Sequence, residues 1–101
     1  MTPHIGPEVE ASLRWGDIIS AIADGHRLPP PQVDDTVFRR GDDTMLSRAA
    51  WIDGLGLAVK TATIFPGNVA DGIPSINGSV TLFADRSGVP EATLDFHLVT
   101  K

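Results

Sequence analysis

Cysteine is absent from the 101 residues, and that one absence removes disulfides, thiolate zinc sites and cysteine nucleophiles together. No apolar run approaches the ~20 residues that a membrane-spanning helix needs, and the N-terminal MTPHIGPEVE lacks a basic-then-apolar signal sequence. A membrane partner is therefore not expected, and a cytoplasmic location is the default expectation. Cationic clusters are missing too, the longest being the pair Arg39-Arg40 in a chain of net charge −5. So few phosphate-neutralising side chains make nucleic acid an unexpected partner. Neither GxGxxG between a strand and a helix nor GxxxxGK[ST] occurs, and Ser47, Ser75, Ser79 and Ser87 have no nucleophile-elbow context. His4, His26 and His97 lack ligand spacing, and Asp34-Asp35 and Asp42-Asp43 read as neighbours in loops and turns, so no metal site is expected.

What is present is the composition of a folded domain. A hydrophobic share of 42% against a charged share of 21% argues against disorder, and 101 residues are enough for one domain, 1–101, with residues 1–8 as a loose leader. The stretch from Leu55 to Asn68 organises the rest. Lys60 is its only charge between Leu55 and Phe65, while Val59, Thr61, Thr63 and Ile64 favour an extended chain and Pro66-Gly67-Asn68 closes it with turn chemistry. An ammonium in a poorly solvated strand needs an anion or a route to water. Two readings follow for Lys60: its stem snorkels to solvent, or it is a fixed cation for a substrate carboxylate or phosphate.

Taken in order, Val9 to Arg14 can extend as a short strand, and Asp17 to Asp24 has the apolar spacing of a short helix stopped by Gly25. Trp15 is expected to plug the base of that helix. Pro29-Pro30-Pro31 forces an extended segment that delivers Gln32 to a fixed place. Strands are expected over Thr36–Arg39, Thr44–Trp51, Leu55–Phe65, Ser75–Asp85 and Glu91–His97, with hairpin turns at Gly41-Asp42-Asp43 and Asp85-Arg86-Ser87-Gly88. Ala92, Leu94 and Phe96 share one face of the last strand. Short connections imply antiparallel pairing. The expected fold is α+β: an antiparallel sheet of about five or six strands with one short N-terminal helix.

The run GLGLAVKTATIFPGN, followed by GIPSINGSVTLFADRSGVPEATLDFHLVTK, resembles the ornithine cyclodeaminase/μ-crystallin family, whose members carry a lysine strand, a proline-x-asparagine turn and an aspartate-containing hairpin in the same order. The resemblance runs from about Trp15 to Lys101 and is densest after Gly54. It implies an NAD(P)-dependent enzyme of amino acids and cyclic imino acids, either a cyclodeaminase (a lyase) or a ketimine reductase (an oxidoreductase). Within such an enzyme it implies that this chain is the substrate-binding and homodimerising domain.

Residue by residue, the resemblance puts Lys60 on the family lysine that contacts the substrate carboxylate, Ser75 on a threonine or serine beside the substrate, and Asn68 in the proline-x-asparagine turn. Gln32 falls where the family has an arginine. A glutamine carries no charge and cannot form the bidentate fork, which implies altered substrate choice. Substrate-binding expectations are thus Lys60, Ser75 and Gln32, with no catalytic, cofactor-binding or metal residue in this chain. The family pattern continues past Lys101 into a Rossmann domain holding NAD or NADP, so the chain is expected to be an N-terminal piece of a longer enzyme. The alternative expectation is a stand-alone, non-catalytic dimeric module that binds a small molecule.

Overall fold

The computed structural model describes residues 2–100; Met1 and Lys101 lie outside the described residues. Its centre is a six-stranded sheet: β1 (His4–Ile5), β2 (Gln32–Arg40), β3 (Asp43–Ile52), β4 (Gly56–Ile64), β5 (Ile76–Phe83) and β6 (Pro90–Asp95), in the order β1-β6-β5-β4-β3-β2. From β2 to β6 every consecutive pair is antiparallel, as the short turns require. The architecture is the expected α+β, but a second α-helix and two 3-10 helices accompany the one helix expected, and the sheet is not purely antiparallel. β1 lies parallel to β6, so the sheet is mixed.

That parallel pairing ties His4 and Ile5, within the leader expected to be loose, to the sheet. His4 and Ile5 sit opposite Thr93 and Leu94, Thr93 N–H donates to the Pro3 carbonyl at 2.9 Å, and the His4 ring meets the Thr93 hydroxyl at 2.7 Å. Pro7–Ser12 then forms a 3-10 helix where part of a strand is expected over Val9–Arg14; the proline suits the first turn, and its missing N–H costs nothing there. Helix α1 (Trp15–Gly25) contains the expected Asp17–Asp24 segment, yet none of its residues is buried and Trp15 is 73% exposed. The plug expected of Trp15 is not made, because α1 lies beside one end of the sheet, where Leu28, Ile52 and Leu55 line an apolar groove of about 730 Å³ with it.

β2 begins at Gln32, four residues before the expected start, because the extended Pro29-Pro30-Pro31 segment passes straight into the ladder. Asp34 and Asp35 are consequently strand residues opposite Ala49 and Arg48, not loop neighbours. Gly88, the last residue of the expected Asp85-Arg86-Ser87-Gly88 turn, has φ 72°, and its N–H closes the turn onto the Ala84 carbonyl at 2.9 Å. In β6 the register places Leu82 against Ala92 but Phe83 against Pro90, which leaves Glu91 as the extra residue of a bulge. The last strand stops at Asp95, and helix α2 (Phe96–Val99) follows. Phe96 therefore leaves the expected strand pattern and folds back over Gly78. The buried apolar residues among those described are Ala62, Val80, Ala92 and Phe96, a narrow core under α2 at the middle of the sheet.

Candidate functional site

Residues that face one another across a ladder share a face of the sheet. The register therefore draws one row through Asp35, Arg48, Lys60, Val80, Leu94 and Ile5, crossing all six strands. Its β2–β4 half is ionic and its β5–β1 half is apolar, with Lys60 at the boundary. Arg48 and Lys60 are directly opposite, and two like charges in that position repel. The conflict is relieved by opposite orientations. Arg48 turns towards β2, where Nε and Nη2 donate to the two carboxylate oxygens of Asp35 at 2.6 and 2.8 Å. That bidentate pair holds the Asp35 carboxyl below the usual carboxylate range and raises Arg48 above its own.

Lys60 turns towards the opposite end of the row. Its half-buried side chain brings Nζ to 3.1 Å from Thr100 Oγ1, to which it donates, and to 5.7 Å from the centre of the Phe96 ring. Both contacts come from the α2 end of the chain, folded over β5. Two local features put them there. The Asp95 carboxylate accepts from His97 N–H at 3.0 Å and caps α2, and Gly78 leaves space for the Phe96 ring, since a Cβ at residue 78 would lie 2.7 Å from it. Among the described residues, no ion pair involves Lys60. Its ammonium has three donors, of which one is used by Thr100.

The other two expected site residues are placed elsewhere. Gln32 opens β2 opposite Trp51, which is opposite Leu57. Leu57 is an odd number of residues from Lys60, so Gln32 belongs to the other face of the sheet and is not brought to Lys60. Ser75 lies just beyond the β4–β5 ladder, its carbonyl accepting from Phe65 N–H at 2.8 Å. Five residues of extended chain, about 16 Å, separate that position from Lys60. Asn68 has a structural task here: its side-chain amide donates to the Pro74 carbonyl at 3.1 Å and ties the turn after β4 to the start of β5. Sequence reasoning missed Arg48, Phe96 and Thr100 as neighbours of Lys60. Counting register outward from Lys60 through the Asp53-Gly54 turn would have found Arg48; nothing local marks Thr100, 40 residues away.

A dinucleotide of the Rossmann kind needs a strand-to-helix crossover with a glycine-rich turn. Among the described residues, β2 to β6 are joined only as antiparallel neighbours, and Gly54-Leu55-Gly56 links two strands. These residues do not fit that group.

No protein-family model matches the chain. It is 42% identical over 89 residues to the Δ(1)-pyrroline-2-carboxylate reductase of Paracoccus denitrificans (strain Pd 1222), a match that covers 88% of this chain and 28% of that protein. The fold is similar to that of the Thermococcus litoralis Δ(1)-pyrroline-2-carboxylate reductase solved in complex with NADH and L-proline, with a TM-score of 0.80 at 19% identity over 98% of this chain and 33% of the other. It is also similar to a lysine cyclodeaminase whose structure addresses recognition of L-lysine, L-ornithine and L-2,4-diaminobutyric acid, with a TM-score of 0.64 at 24% identity over 98% of this chain and 34% of that one. The chain thus spans between a quarter and about a third of the length of the proteins it matches.

Proposed function

Because the chain belongs to the ornithine cyclodeaminase/μ-crystallin family, we propose that it is the substrate-binding and dimerising domain of an NAD(P)-dependent enzyme acting on an amino acid or its cyclic imine, with Lys60 as the ligand of the substrate carboxylate. The observation that carries this is the Lys60 ammonium, held by a hydroxyl and a ring and with no carboxylate of its own among the described residues. A lysine that served only to solubilise a strand would extend into water. Here the stem lies half-buried on the sheet and the charge stops at α2. A small anion can complete its coordination. The name of the Paracoccus relative and the L-proline in the Thermococcus structure favour a five-membered cyclic imino acid as substrate. The dinucleotide is assigned to residues outside this chain.

Dimerisation by a second copy accounts for the apolar surface left uncovered. β2 is exposed along both faces, with Val33, Val37 and Phe38 open to solvent, and α1 exposes Trp15, Ile19 and Ile22. A sheet with so little cover needs a further layer. Reduction of Δ(1)-pyrroline-2-carboxylate with NADH and with NADPH tests the catalytic half of the proposal. The chain alone should be inert and the product of its whole reading frame active, and Lys60→Met in that product should lower kcat/KM by a charge-assisted hydrogen bond, about 1.5–3 kcal/mol or roughly 10- to 150-fold. Unchanged kcat/KM would leave Lys60 as a solubilising side chain.

A further inference from the structure

We propose that Phe96 and Thr100 are positioning residues for Lys60: together they fix the ammonium before a ligand arrives and leave its remaining N–H groups for that ligand. This rests on Lys60 being the carboxylate ligand. Four observations combine. Arg48 stands directly opposite Lys60 and would repel it at close range, but Asp35 draws the guanidinium towards the edge strand. On the other side, the Thr100 hydroxyl accepts from Nζ at 3.1 Å, and the Phe96 ring stands 5.7 Å from it, within the range at which a ring face attracts a cation. Phe96 cannot drift, because it is 5% exposed and fills the space that Gly78 leaves open. Asp95 fixes the direction in which α2 leaves the sheet and so where Thr100 arrives.

A free lysine has four rotatable bonds to immobilise when it grips an anion, and holding them beforehand reduces that cost. Thr100 takes one of the three ammonium donors. The other two remain for a carboxylate, and the buried Phe96 behind them limits competing water, which strengthens an electrostatic contact. The chain contains two lysines, Lys60 and Lys101, which makes the test direct.

Carbon-13 labelling of the lysine ε-methylene in the whole chain gives two signals, one for each lysine. Without ligand, the Lys60 ε-methylene should be shifted by the Phe96 ring current and its two protons should be inequivalent. Phe96→Leu should remove the shift, Thr100→Val should average the two protons, and Thr100→Ser should restore their inequivalence. Titration with L-proline should then move the wild-type Lys60 signal and bind roughly 2- to 12-fold more weakly in Thr100→Val, the value of one hydrogen bond. A Lys60 signal already averaged in the wild type, or one that Thr100→Val leaves unaltered, overturns the positioning role. Should Phe96→Leu fail to fold, the Thr100 pair decides alone. Ordered Lys60 signals that respond to both variants but not to L-proline would uphold the positioning and overturn the carboxylate assignment.

Discussion

Gly78→Ala is the substitution that most directly loads the contact between the sheet and α2. Residue 78 has no left-handed backbone, so the demand for glycine is one of space. A Cβ there would collide with the Thr61 carbonyl oxygen on the neighbouring strand and lie 2.7 and 3.0 Å from two atoms of the Phe96 ring. The carbonyl cannot yield without opening the β4–β5 ladder, in which Ala62 and Gly78 are partners. Phe96 cannot yield without leaving one of the few buried positions. Overpacking of this kind costs about 1–3 kcal/mol, and in a domain of this size each kcal/mol lowers Tm by about 4–8 °C, so thermal unfolding followed by circular dichroism should move down by roughly 4–24 °C. Gly16→Ala, in α1 with nothing near its Cβ, supplies the contrast: a restricted unfolded chain should gain about 0.4–1 kcal/mol. An unchanged Tm for Gly78→Ala would mean that Phe96 does not rest on residue 78, and the placement of α2 over Lys60 would fail with it.

Two further outcomes follow from the same sheet. Arg48 depresses the Asp35 carboxyl, and a group whose folded value is lower than its unfolded one contributes stability above the ordinary value, near 3.8, and loses it as pH falls through the depressed one. Asp35→Asn should therefore lower Tm at pH 7, with a difference from wild type that closes as the pH is taken below that value; a difference independent of pH would remove the ionic basis of the pair. Sedimentation of the chain at micromolar concentration should show a dimer, and a clean monomer there would show that the open faces of β2 and α1 do not need a second copy.

How far the sequence was legible differs from element to element for physical reasons. The strands around Lys60 could be read because Val59, Thr61, Thr63 and Ile64 have β-branched side chains and Pro66-Gly67 ends the run. Gly88 could be read because a tight hairpin needs a positive φ, a local requirement. The end of β6 could not. Ala92, Leu94 and Phe96 keep a period of two, and only the cap made by Asp95 converts the last of them from a strand residue into the first of a helix. Asp34 and Asp35 disfavour strands in isolation, and it is Arg48, brought opposite by the β2–β3 turn, that makes the second of them welcome there. The place of Trp15 could not be read, because apolarity states a need for cover without stating where the cover comes from. The site shares this division: Lys60 stands out as a charge in an apolar run, whereas its partners Phe96 and Thr100 depend on how α2 folds back.

The shortest strand has a consequence out of proportion to its length. β1 covers β6 at only two positions, Thr93 and Leu94, and 89 residues separate His4 from its partner. Closing a loop of that length costs roughly 4 kcal/mol before the pairing returns anything, so β1 is expected to dock after the hairpins and to be the first strand to fray. Each time it does, β6 presents a bare row of amides and carbonyls to its surroundings, the kind of edge that recruits foreign strands. The bulge at Glu91 twists part of that edge and places a charge there. At Thr93 and Leu94, two residues from the N-terminal end of the chain are the guard against edge-to-edge aggregation.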